Sequence, residues 1–158
     1  MNLGDLLYYD AASTDQPGKT RVFHNSDGTK CLAVRLFNNV GTALVLGRPY
    51  VVQASGAEAS PLQVATPAAL AVYQHVVIAL EAVAIGAYGW FAYAGYVDAL
   101  VDGTTDVADL DYLDVTPATS ATALIFDHGT VRSTASVARA AAAQAANSAV
   151  LIRVQLLG

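Results

Sequence analysis

The sequence predicts an all-β protein: a sandwich or barrel-like (jelly-roll-like) domain over residues 31–158, behind an extended N-terminal arm of residues 1–30. Three observations predict it. From Cys31 the chain alternates with period two, with Leu32, Val34 and Leu36 on one face and Ala33, Arg35 and Phe37 on the other, the pattern of a half-buried strand. Between Val76 and Val115 the large rings Tyr88, Trp90 and Tyr96 stand among Gly86, Gly89 and Gly95, as where a sheet bends and bulky side chains fill the gap. Short apolar runs recur between Gly, Pro and Asn punctuation, which points to a sandwich or barrel.

In order along the chain, residues 1–30 are polar and turn-rich, with Pro17-Gly18 and Asn25-Ser26-Asp27-Gly28 among them, and read as an arm. Asn38 to Gly41 is a turn signal. Thr42–Leu46, the turn Gly47-Arg48-Pro49 and Tyr50–Ala54 then continue as strand, turn and strand. Ser55–Pro67 reads as loop, with Pro61 and Pro67 limiting any helix. Ala68–Ala84 is ambiguous on propensity, since Ala and Leu favour helix while His75-Val76-Val77-Ile78 favours strand.

An internal comparison addresses this. A shift of 61 residues lays Val76 on Val137, Ala79 on Ala140, Ala82 on Ala143, and Trp90, Phe91 and Tyr93 on Leu151, Ile152 and Val154. The two copies read as related β-hairpins. The Ala-rich run 137–146, a helix on propensity alone, is therefore expected as strand and turn, because an all-Ala face offers little amphipathic stripe to hold a helix on a core. Val150–Leu157 alternates as a closing strand.

Apolar residues make up 54% of the chain and charged residues only 13%, against roughly 25% in an ordinary domain. Apolar surface is therefore expected to face another protein chain. The apolar run 76–96 is interrupted by Glu81 and glycines, so no membrane span is expected. The N-terminal residues carry neither the basic region nor the long apolar core of a signal peptide, and synthesis in cytoplasm without export by the usual route is expected. Lys and Arg are confined to positions up to Arg48 and from Arg132 onward, while nine acids stand between. Such a field repels nucleic acid on its acidic side and can orient docking.

Chemistry is harder to find. Six aspartates from Asp98 to Asp114 raise the question of calcium, but their spacing lacks the alternation of an EF-hand loop and reads first as a solvated acidic segment. Cys31, the sole cysteine, reads as a small buried hydrophobe. His24, His75 and His128 read as turn or core histidines, since no G-x-S-x-G elbow accompanies them. Phosphate-loop, dinucleotide and H-E-x-x-H motifs are missing from the sequence, so no catalytic residue and no cofactor is expected. Tyr88, Trp90, Phe91, Tyr93 and Tyr96 suit a carbohydrate platform only if they face solvent. Alternation sends Tyr88 and Trp90 one way and Phe91 and Tyr93 the other, so one set is core and the aromatics read as core or subunit interface.

The succession NNVGTALVLGRPYVV (Asn38–Val52), IALEAVAIGAYGWFAYAGYVDALVD (Ile78–Asp102), DVADLDYLDVTPATSATAL (Asp106–Leu124) and the closing SAVLIRVQLLG resembles small β-rich decoration, or cement, proteins of tailed-bacteriophage capsids. The likeness runs from about residue 38 to the end, and departs where Asp109-Leu110-Asp111 replaces a Gly-Asp turn. It implies a non-enzymatic virion protein without cofactor. Such a protein forms a homotrimer over junctions between major capsid protein subunits on the outer shell and holds neighbouring capsomers together. The interface set expected under this reading is Arg21, Arg35, Tyr88, Trp90, Tyr93 and Tyr96, with the arm as a tether. The alternatives are a tail, fibre or head–tail connector protein and a carbohydrate-binding β-sandwich module.

Overall fold

The computed structural model describes residues 18–53, 63–65, 75–101, 106–117, 124–129, 136–146 and 150–157. Among these the regular elements are all strands: β1 (Thr20–His24), β2 (Lys30–Asn38), β3 (Pro49–Gln53), β4 (Gln63–Ala65), β5 (Val76–Ala79), β6 (Tyr88–Val101), β7 (Tyr112–Pro117), β8 (Leu124–Gly129), β9 (Ser136–Ala140) and β10 (Val150–Leu156). The all-β expectation is met.

The pairings close on themselves twice. β2 pairs with β4, β4 with β3, β3 with β5, β5 with β6, and β6 returns to β2. From β6 a second circuit runs through β8, β7, β9 and β10 and returns to β6. In each circuit one short pairing is parallel, β2–β4 and β6–β8, and the others are antiparallel. The two five-stranded units thus repeat one topology and share β6, whose first half pairs β2 and whose second half pairs β10.

The repeat extends to single hydrogen bonds. Leu44 and Val83 exchange backbone bonds in the first unit, as Val107 and Gln144 do in the second. Gly47 donates to Ala79 at 2.8 Å, and its counterpart Leu110 donates to Ala140 at 2.9 Å. Leu80 donates to the Trp90 carbonyl at 2.9 Å, and Ala141 to that of Arg153 at 2.8 Å. Here the 61-residue alignment needs correction. It holds from Val76/Val137 through Val83/Gln144, but the counterpart of Trp90 is Arg153, two residues beyond Leu151. The repeating object is a five-stranded circuit, not a hairpin.

Each unit has its own core. Val34, Leu36, Leu44, Tyr50, Val77, Ala79, Val83 and Phe91 fill the first. Their counterparts Val97, Ala99, Val107, Leu113, Ala138, Ala140, Gln144 and Val154 are all buried. The second set is smaller at most positions, which explains the Ala-rich run. Ala138 and Ala140 are inward positions of β9, where propensity for helix yields to pairing on both edges. Cys31, Val51, Ile78 and Ala92, on the other face of the first unit, join Val115, Phe126, Ile152 and Leu156 in the same apolar cluster as the second core. The junction is therefore continuous hydrophobic packing, and the units form one body.

Three local expectations change. Within Thr42–Leu46 only Leu44 bridges, because Gly41 and Gly47 both turn with positive φ. Within Ser55–Pro67 the three residues of β4 are strand. The described part of the N-terminal arm is ordered: β1 pairs along β2 from Thr20↔Val34 to His24↔Lys30, while residues 1–17 lie outside the described residues.

Tyr50 ties the first core to its turn. It is buried, stands edge-on to Phe91 with centroids 6.4 Å apart, and its hydroxyl accepts the Val45 N–H at 2.9 Å. Burial pushes its phenol pKa up. Tyr50→Phe keeps the ring but strands that N–H. A loss of about 1–2 kcal/mol is expected in urea unfolding, whereas no loss would mean that water replaces the hydroxyl.

Candidate functional site

Strand alternation on β1, β2 and β6 places six side chains on one face, with Arg21 exposed and the other five half-buried. Arg35 lies directly across from Trp90, and Phe37 from Tyr88. On the other edge of β2, Arg21 and Phe23 of β1 lie across from Ala33 and Cys31. Ala33 and Ala92 are fully buried between the larger groups, leaving room for the rings to lean together. Phe23 meets Trp90 edge-on at 5.6 Å, and Phe37 meets Tyr88 at 5.2 Å. The Arg35 guanidinium lies over the Trp90 ring at 5.9 Å, and that of Arg21 over Phe23 at 5.2 Å. The strand bearing Trp90 is held by Glu81, whose carboxylate accepts the Trp90 N–H at 3.0 Å. The result is a fixed aromatic surface carrying two guanidinium groups.

Four of the six residues expected at an interface, Arg21, Arg35, Tyr88 and Trp90, are thus brought together. Tyr93 is not among them: it packs against the first core. Tyr96 lies on the half of β6 that pairs β10, across from Gln155, and its carbonyl accepts from the Asn25 side chain at 2.9 Å. Phe23 and Phe37 complete the face and were not singled out from the sequence. Phe37 was recoverable, since it alternates with Arg35. Phe23 was not, because its segment has the composition of an arm.

A polar clamp borders this face. Arg153 of β10 donates from Nε to Asp98 at 2.7 Å and from Nη1 to Asp27 at 3.0 Å and Thr29 at 2.8 Å. It binds the β1–β2 turn to the second unit. The Thr29 hydroxyl donates to Asp27 at 2.6 Å, and the Thr29 N–H does so at 2.9 Å. These bonds, hydroxyl first, and the Arg153 charge hold the Asp27 carboxyl below the usual carboxylate range. A depressed folded-state pKa contributes stability above the unfolded pKa, near 4, and loses it as pH falls through the folded value. Wild type should therefore exceed Asp27→Asn in thermal midpoint at about pH 6, with the gap closing below about pH 4. A gap that persists undiminished at about pH 2 would contradict the assignment.

Among the described residues no group of three or more His, Cys, Asp or Glu side chains is placed to hold a metal ion. Part of the Asp98–Asp114 segment, residues 102–105, lies outside them. Cys31 is buried, and desolvation pushes its thiol pKa up, opposite to the shift that activates a nucleophile. His24 and His75 are exposed, and His128 takes part in β8 through its backbone. No helix among the described residues is long and apolar enough to cross a membrane. Comparison with protein-family models and with curated protein sequences finds no match.

Proposed function

We propose that this chain is a structural virion protein of a tailed phage, a decoration protein. It binds the outer surface of the head at junctions between major capsid protein subunits, associates with further copies of itself, as a homotrimer, and stabilises the shell. The observation that carries this reading is the aromatic–arginine face. Aromatic residues and Arg are the side chains most enriched where proteins bind one another, and here they are pre-ordered on paired strands, so little side-chain freedom is lost on docking. The sequence resemblance supplies the kind of partner. A protein that binds only the assembled shell stabilises that state by mass action.

The test is co-sedimentation with heads, purified without this protein, of the phage whose genome encodes it. Saturable binding at fixed stoichiometry and a raised head-rupture temperature are expected, with binding weakened at least tenfold in Trp90→Ala. Heads that neither bind the protein nor gain stability would sink the proposal. A Trp fluorescence change with soluble polysaccharide, in place of head binding, would instead favour a carbohydrate-binding module.

A further inference from the structure

The duplication is itself informative, because one of its turns is already docked. Gly47, at φ +78°, brings the turn 45–47 onto the second unit: its carbonyl accepts the Leu100 N–H at 2.8 Å, and a Cβ there would strike the Leu151 side chain. Leu100 and Leu151 are cross-strand partners. Their counterparts in the first unit are the cross-strand partners Phe37 and Tyr88, on the aromatic–arginine face. The counterpart of Gly47 is Leu110, which adopts the same left-handed backbone at φ +71° and leaves its side chain 59% exposed. A leucine is costly in that conformation, and an exposed one gains little within the chain to offset it.

The turn is nevertheless built rigidly. Arg139 donates to the Leu110 carbonyl at 3.0 Å, and the Asp111 carboxylate accepts the Ala108 N–H at 2.8 Å. Beside Leu110 stand the exposed Asp106 and Asp109. Charge has also separated between the units. Residues 18–95 carry five Lys or Arg against three acids, and residues 96–158 carry three Arg against seven Asp.

We infer that the Asp109-Leu110 turn docks on the aromatic–arginine face of a second copy of this chain, Leu110 against Phe37 and Tyr88 and Asp109 toward Arg21. The contact is heterologous, joining the second unit of one copy to the first unit of the next, and closes into a ring if the rotation permits. It cannot reproduce the close approach of Gly47, so the Leu110 side chain becomes the inserted group. This inference rests on the self-association included in the proposed function and assigns its surfaces.

Light scattering behind size exclusion, over a dilution series, tests it. Wild type should run above the 16.3 kDa of one chain and fall toward that mass as salt rises from about 50 to 500 mM. Leu110→Gly should have the single-chain mass at every concentration, with a thermal midpoint no lower than that of wild type at dilutions where wild type is itself single-chain, because glycine accepts the positive φ. Asp109→Arg should also lose association, and adding Arg21→Glu to it should restore it. A wild type that is always single-chain, a Leu110→Gly variant that keeps the wild-type mass, or one less stable than wild type at dilutions where both are single-chain would each overturn the inference. Head co-sedimentation separates the two claims. A single-chain Leu110→Gly variant that binds heads leaves the decoration reading standing, and an associating wild type that ignores heads refutes that reading alone.

Discussion

Gly95→Ala is expected to abolish stable folding, or to cost more than about 4 kcal/mol, the range reached when overpacking and backbone strain act together. Gly95 adopts φ +89°, where any other residue costs about 1–2 kcal/mol. A Cβ there would also collide with the Lys30 carbonyl oxygen and come within 3.1 Å of the Cys31 Cα. Both are backbone atoms of β2 and cannot rotate away. The position is critical for a second reason: Gly95 pairs with Cys31 in the first unit and with Leu156 in the second. A displaced Gly95 disturbs both circuits and the apolar junction between them at once. Urea unfolding followed by Trp90 fluorescence gives the measurement, and a loss below about 1 kcal/mol would mean that β2 moves more freely than its pairing on both edges implies.

Much of this architecture was legible because it rests on local alternation. Cys31–Phe37 announces β2, and the same alternation separates Trp90 from Phe91 on β6. The internal shift of 61 residues found the duplication, because β5 and β9 and the turns after them keep the same length. It failed beyond Gln144, because the second unit has two more residues between Gln144 and Arg153 than the first has between Val83 and Trp90, and a fixed shift cannot follow an insertion. β4 was missed because three residues carry no measurable period, and its pairing with the distant Asn38 is not a local property.

The candidate face was half legible for a related reason. Arg35 and Trp90 meet only in the register that follows the irregularity between Leu32 and Ala33 on β2. One residue of slip would turn one of the two to the opposite face. Phe23 was hidden by the polar residues around it, since an edge strand needs no apolar run when, among the described residues, only one of its edges is paired. Tyr93 and Tyr96 were grouped with Trp90 by composition, but they belong to the core side and to the second half of β6.

Asn38 carries the second large expectation, and it explains why a polar residue sits where the second unit has Val101. The side chain is 1% exposed. Its amide nitrogen is within bonding distance of the carbonyls of Thr42 at 2.9 Å, Val83 at 3.2 Å and Ala84 at 3.0 Å, and its oxygen accepts the Val40 N–H at 3.0 Å. Its backbone donates to Ala87 and accepts from Gly86. One residue thus joins the end of β2 to the two loops that flank the Leu44–Val83 bridge. Asn38→Ala removes the side-chain bonds together and should cost about 3 kcal/mol, since the Val83 and Ala84 carbonyls retain backbone donors while Thr42 and Val40 lose a partner. Asn38→Asp should be worse at neutral pH. It places a buried carboxylate against three carbonyl oxygens and removes the donor they require. Its deficit should shrink as pH falls, because the protonated acid regains one donor. Stability measured at about pH 7 and pH 4 distinguishes this account from simple loss of packing, in which alanine would be the more damaging change and neither variant's deficit would depend on pH.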